Sequence, residues 1–187
     1  MAESDAELVD RARDGDSGAL ERLLELHYDR IAKICRRIAA GPAEADDCTQ
    51  EALIAIVKGI SRFDGRSQFT TWSYRVATNA CLDELRRRQR RGTPVDPDDL
   101  ASVGDESVQT DSLTSPVTTS GVEARLDLDA ALSQVPLEYR VPLILREVAD
   151  LDYAQIAEHL GVPVGTVKSR IARGRAALAG GMNRSVF

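Results

Sequence analysis

The chain has 187 residues, of which 43% are hydrophobic, 4% aromatic and 29% charged, with a formal net charge of −6. That length holds one domain or two small ones, and no apolar run is long enough to span a membrane. The start, MAESDAELVDRARDG, lacks the apolar core of a signal peptide, so the expectation is a cytoplasmic chain without membrane insertion.

The acidic balance argues at first against a nucleic-acid partner, but its distribution reverses the argument. Between Gly92 and Gly121 lie six acids (Asp96, Asp98, Asp99, Asp105, Glu106, Asp111) and no Lys or Arg, which leaves the remainder near neutral. Within that remainder the cations gather at Arg86–Arg91 and Lys168–Arg175. Local field, rather than total charge, decides contact with DNA.

Taken in order, residues from about Asp5 to Gln89 form a first helical block. Ala19–Ala39 is amphipathic, with Leu20, Leu23, Leu24, Ile31, Ile34 and Ile38 on its apolar face, and Gly41-Pro42 ends it. A second helix is expected from about Glu44 to Ile60. Thr49, Leu53, Ile56 and Ile60 make its core face. Asp47, Gln50, Glu51, Ile54 and Lys58 make another, which reads equally as a protein-docking surface or as a solvated face.

A loop, RFDGRSQFTT, turns at Asp64-Gly65. The third helix starts near Phe69 and runs through the arginines. Tyr74, Ala77, Cys81 and Leu85 look inward. Trp72, Asn79, Asp83, Arg86 and Arg90 share another side, where an aromatic can support an unstacked base, an amide can read its edge and cations can hold phosphates. Trp72 reads equally as core.

Gly92–Gly121 is rich in Pro, Ser, Thr and Asp without a helical stripe, the composition of a flexible linker between two domains. The second block runs from Val122 to about Gly180. Its core candidates are Leu126, Leu128, Ala131, Leu132, Val135, Leu143, Ile144, Leu145 and Val148.

The most informative stretch is Asp152–Ala179, DYAQIAEHLGVPVGTVKSRIARGRAALA. Ala157 lets two helices approach, Gly161 relieves the turn between them, and Val167 plugs the joint, as a helix-turn-helix needs. On the second of these helices Val167, Ile171, Gly174 and Leu178 form one inward stripe. Thr166, Ser169, Ala172, Arg173 and Ala176 face away, flanked by Lys168, Arg170 and Arg175. Small residues with a few cations can lie close to base edges, with Arg173 placed to pair bidentately with a guanine and the flanking cations to meet phosphates.

Cys35, Cys48 and Cys81 are widely spaced with no C-x-x-C and read as buried reduced thiols. His27 and His159 stand alone, so no metal and no cofactor are expected. No nucleophile set and no phosphate loop occurs, so no catalytic role is expected.

Asp46–Arg91, DDCTQEALIAIVKGISRFDGRSQFTTWSYRVATNACLDELRRRQRR, resembles region 2 of bacterial RNA polymerase sigma factors, the extracytoplasmic-function (ECF) group most of all. Leu132–Leu178 resembles region 4 of the same group. The resemblance implies an all-α protein in two small helical domains joined by a flexible acidic linker. Region 2 would occupy 1–91, the linker 92–121 and region 4 122–187.

By the same resemblance, Asp47, Gln50 and Glu51 match the helix that docks on the polymerase clamp. The loop from Phe63 to Thr71 (Phe63, Asp64, Arg66 and Ser67 among them), with Trp72 and Asn79, matches the part that captures an unpaired base of the −10 element. Arg86 and Arg87 match cations near the −10 backbone. Lys168, Ser169, Arg170, Arg173 and Arg175 match the helix that reads the −35 element, whereas Ala172 departs from relatives with a larger side chain there. The implied partners are core RNA polymerase, promoter DNA and an anti-sigma factor. The alternative is a helix-turn-helix regulator that never engages polymerase; a first block without a receiver domain's alternating strands and helices argues against it.

Overall fold

The computed structural model describes residues 4–39, 41–91 and 128–182, and all their regular structure is helical. The first half comprises α1 (Asp5–Arg13), α2 (Ser17–Ala39), α3 (Pro42–Gly59), a single 3₁₀ turn (Ile60–Arg62) and α4 (Phe69–Arg91). Residues 128–133 form α5, followed by α6 (Leu137–Glu147), α7 (Tyr153–Leu160) and α8 (Val164–Met182). The acidic linker and Leu126 fall outside the described residues.

Local chemistry sets the helix ends. Ser4 and Glu7 close a capping box on α1, which the sequence reading did not separate from its first block. Asp16 accepts from the backbone N–H groups of Gly18 and Ala19 at 3.0 and 3.1 Å and holds the Arg11 guanidinium at 2.6 Å. Pro42 sits in the first turn of α3, where no N–H is needed. Asp152 caps α7 through the N–H groups of Ala154 and Gln155, both at 2.8 Å, and Gln155 returns a bond to Asp152. Gly161 ends α7 at φ +64°, the left-handed conformation the tight turn requires.

In the first half, α2, α3 and α4 bury Leu23, Ile31, Ile34, Ile38, Ile56 and Tyr74 between them. The three cysteines meet at this crossing as free, fully buried thiols. Cys48 Sγ donates to the Cys81 carbonyl at 3.7 Å and Cys81 Sγ to that of Cys35 at 3.9 Å. In the second half, Val167 and Ile171 seal α8 against Ile156, Leu143 and Leu145, as the stripe on α8 requires.

The two halves pack together, and the buried cluster runs unbroken from Leu8 to Ile171. At the seam, Arg140 of α6 is 9% exposed. Its guanidinium donates to the Val135 carbonyl at 2.9 Å and the Ser133 carbonyl at 3.0 Å in its own half, and to Ile38 at 2.8 Å in the last turn of α2. Arg37 pairs with Asp129 across the seam at 3.0 Å. Arg30 bonds both the Asp150 carboxylate and the Val148 carbonyl, and Asp150 itself holds φ +56°.

Gly174 lies where α8 approaches α6 closely. A Cβ there would lie 2.9 Å from the Tyr139 carbonyl oxygen, an immobile backbone atom. Gly174→Ala is therefore expected to destabilise the fold by about 1–3 kcal/mol. Gly165→Ala, where a Cβ meets nothing within 4 Å, should be neutral or slightly stabilising. Urea unfolding of the two variants checks the contrast.

Candidate nucleic-acid interface

The loop between the 3₁₀ turn and α4 is anchored at both ends by aromatic rings. Phe63 and Phe69 are 4% and 5% exposed, and both lie against Trp72, with ring centroids 5.1 and 5.8 Å away. Asp64 tightens the turn by accepting from the Arg66 N–H at 3.1 Å, and Gly65 supplies φ +74°. Beside these anchors lies a cleft of about 840 Å³, lined by Phe63, Trp72, Arg66, Arg75, Asn79 and further residues of the loop, and by Gln155 and Glu158 of α7.

Trp72 is half-buried between core and cleft. One side packs on Gly59, where a Cβ would lie 3.1 Å from the indole, while the residue still lines the cleft. Phe63 is buried rather than a free contact. Asp64, Arg66 and Asn79 are exposed, and Ser67 lines the cleft half-buried. Arg75 and Arg62 line the same cleft and escaped the sequence reading. Arg75 had a signal, standing three residues after Trp72 and four before Asn79 on one helical face.

The structure joins two faces that the sequence reading kept apart. The α3 acids reach the α4 arginines: Arg88 pairs with Asp47, and Arg87 with Glu51 at 3.5 Å. Glu84, 5% exposed, underlies both, holding Arg87 at 2.7 Å and Arg88 at 3.4 Å. Arg87 is thus drawn toward α3, while Arg86 stays outward beside Asp83 at 3.0 Å. Gln50, Ile54 and Lys58 remain exposed, with Val57 44% exposed beside them.

On α8, Lys168, Ser169, Ala172, Arg173, Arg175 and Ala176 are exposed, and Thr166 and Arg170 half-buried. Each cation has a neighbour within the second half. The Arg173 guanidinium lies 5.8 Å from the Tyr139 ring centroid, with Nη1 3.4 Å from the hydroxyl. Lys168 lies 5.7 Å above Tyr153. Arg170 approaches Glu138 at 3.8 Å, and Arg175 pairs with Glu147 at 2.5 Å. Among the described residues no group of side chains could hold a metal ion, and no helix is long and apolar enough to cross a membrane.

His159 on α7 is half-buried, and its Nε2 has no hydrogen-bond partner. Desolvation, reinforced by the Arg75 charge, pulls its pKa down from 6.5 to about 4. Above pH 6.5 the ring is neutral folded and unfolded, and its contribution is fully present. As pH falls from 6.5 toward 4, the unfolded chain takes up a proton that the folded one refuses, so stability drops. His159→Leu is expected to flatten the pH dependence of stability between 6.5 and 5, measured by denaturant titration.

Comparison with known proteins gives these surfaces a context. Residues 23–91 match Sigma-70 region 2, and residues 125–178 match Sigma-70, region 4. The ECF RNA polymerase sigma factor SigW of Bacillus subtilis (strain 168) is 33% identical over 91% of this chain and 92% of its own. Among solved structures, CnrH in complex with the cytosolic domain of CnrY superposes with a TM-score of 0.65 at 22% identity, covering 97% of this chain and 99% of that one. The sigma factor RpoE in complex with the anti-sigma factor NepR from Bartonella quintana gives 0.65 at 21% identity, over 87% and 96%. At those identities the two structures establish the shared fold.

Proposed function

The chain belongs to the sigma-70 family, in its extracytoplasmic-function group, and on that premise we propose how its residues divide the work. As a sigma factor it binds core RNA polymerase, directs it to particular promoters and assists their opening. Nucleotidyl transfer belongs to the polymerase, and the chain's place of action is the cytoplasm. Residues 1–91 act as region 2, 92–121 as the linker and 122–187 as region 4.

The observation that carries the division of roles is the contrast between the two surfaces. One is a cleft of about 840 Å³ lined by the Trp72 indole and Asn79, large enough for an extruded base. The other is an exposed helix with small side chains between its cations, shaped to lie on base edges of intact duplex. In this reading Trp72 supports the unpaired base of the −10 element and Asn79 reads it. Arg66 and Arg75 stand beside its phosphates, and Arg86 meets the backbone further along α4. Arg173 reads a −35 base, and Lys168, Arg170 and Arg175 meet phosphates. Asp47, Gln50, Glu51, Ile54 and Lys58 dock on polymerase. An anti-sigma factor is a fitting regulator, since the similar RpoE is held by one. Run-off transcription from a fragmented genomic library with purified core polymerase tests the reading; transcripts that need this chain and share upstream elements support it, and none would sink it.

Two residue-level outcomes follow from this division. Arg173→Ala should cost about 1–3 kcal/mol in binding and relax preference at one −35 position, whereas Lys168→Ala should weaken all sequences alike and lower the salt slope. Binding of randomised −35 duplexes to the two variants separates these effects. Gln50→Ala with Ile54→Ala should weaken polymerase binding without touching the Asp47–Arg88 and Glu51–Arg87 pairs, so stability should change little. Polymerase affinity measured beside a thermal melt checks both halves of that statement.

A further inference from the structure

The loop beside the aromatic cleft borders a second hollow. Phe63, Ser67 and Gln68 line both the cleft and a separate cavity of about 510 Å³, to which α1 contributes Asp5, Ala6, Val9, Asp10 and Arg13. A segment with open space at two of its surfaces has little packing of its own to fix its shape, so its shape depends on what holds its ends. Those ends are the buried rings of Phe63 and Phe69.

The second of those ends is held by a relay of side chains that starts on α1. Asp5, the first residue of α1, accepts a hydrogen bond from His27 Nε2 on α2 at 2.8 Å. The His27 side chain is 12% exposed, and its ring centroid lies 5.2 Å from that of Phe69, inclined by 56°. Phe69 lies 5.8 Å from the Trp72 ring, which lines the cleft. Tilted ring pairs have preferred geometries, so fixing one ring constrains the next. The bond to Asp5 fixes the tautomer and rotation of the imidazole at the head of the relay. Helix α1 is itself secured by buried Leu8, Val9 and Ala12 and by the capping box of Ser4 and Glu7.

We infer that His27 is a positioning residue for base capture: clamped by Asp5, it holds Phe69, and through Phe69 the Trp72 indole and the loop, in the arrangement that admits the −10 base. Neither His27 nor Asp5 lines the cleft, so both act through their neighbours. Helix α1, which lies outside the residues 23–91 that match region 2, thereby becomes part of the reading apparatus. The inference rests on the assignment of the cleft to the −10 base.

Trp72 is the chain's single tryptophan, so intrinsic fluorescence reports on it alone. Three variants of the full chain form the test. His27→Leu removes the ring, Asp5→Ala removes only its acceptor, and Asp5→Asn keeps an oxygen in the same place. His27→Leu and Asp5→Ala should shift the Trp72 emission and raise its quenching by acrylamide, and Asp5→Asn should restore the native values. The binding probe is single-stranded nontemplate −10 DNA, from a promoter identified by run-off transcription, added to holoenzyme assembled with core polymerase. His27→Leu and Asp5→Ala should bind it roughly two- to tenfold more weakly, the worth of one aromatic contact. Binding of −35 duplex and affinity for polymerase should stay native. An abasic site at the captured position should cost these variants less than it costs the native chain. A merely structural role would instead lower every binding together with the melting temperature. Should His27→Leu melt early, Asp5→Ala decides, because Asp5 is half-exposed and its loss leaves the Ser4–Glu7 cap in place. Native −10 binding by folded Asp5→Ala overturns the inference. Asn79→Ala separates it from the reading beneath it. If Asn79→Ala loses no −10 binding, the cleft is not the base reader and the inference falls with that assignment. If Asn79→Ala loses binding while Asp5→Ala does not, the positioning role alone is wrong.

Discussion

The Arg140 guanidinium is the contact on which the relation between the two halves depends. Its hydrogen-bond partners are carbonyl oxygens rather than a carboxylate, those of Ser133 and Val135 in the turn before α6 and those of Ile38 and Ala39 at the end of α2. The last carbonyls of a helix are unsatisfied and carry the negative end of its dipole, so a buried cation there satisfies several orphan acceptors at once. Burial pulls the Arg140 pKa down, but a guanidinium stays charged through such a shift. The same side chain therefore orders the α5–α6 turn and ends α2. A lysine could not span those acceptors in a plane.

A second constraint links the first half's surfaces to one another. Glu84 is buried on α4 beneath Arg87 and Arg88, and those arginines reach Asp47 and Glu51 on α3. A buried carboxylate without cations would be costly, so Glu84 obliges two arginines to lie inward. Of the α4 arginine run, only those not so engaged are free to face outward, and Arg86 does. The helix that borders the aromatic cleft and the helix proposed to meet polymerase are thus braced by one charge network. A change in charge on α3 is transmitted to α4 directly.

Much of this was legible before the structure. The period of α8 placed Val167, Ile171 and Gly174 inside and Ser169, Ala172 and Arg173 outside, because a helix buries one stripe whatever its partner. Tyr74, Ala77 and Cys81 were legible on α4 for the same reason. The loop's Asp-Gly turn was legible from its chemistry. Pairings over long sequence distance were not. Arg140 lies on a helix whose pattern marks it only as one more cation, and nothing in its neighbours announces Ile38, 102 residues away. The pairing of Arg75 with Glu158 was hidden too, since it joins halves that the composition separates. The choice between core and surface for Trp72 was equally out of reach, because it depends on the residue the indole covers, and here that is Gly59.

The electrostatics of α8 bear on how an acidic chain can still be selective for DNA. Arg170 and Arg175 face Glu138 and Glu147, and Lys168 and Arg173 lie over tyrosine rings. Exposed pairs of this kind are individually weak and screened by salt, so phosphates can displace them. They nevertheless subtract from the attraction that any duplex exerts, which is the sequence-independent part of binding. Hydrogen bonding at base edges, the part proposed for Arg173, escapes this subtraction; its Nη1 lies 3.4 Å from the Tyr139 hydroxyl and the neighbouring exposed side chains are small. Compensated cations around a small-residue face therefore shift the balance from general to sequence-dependent affinity. A region 4 that must locate few sites among many benefits from that shift even at some cost in total binding.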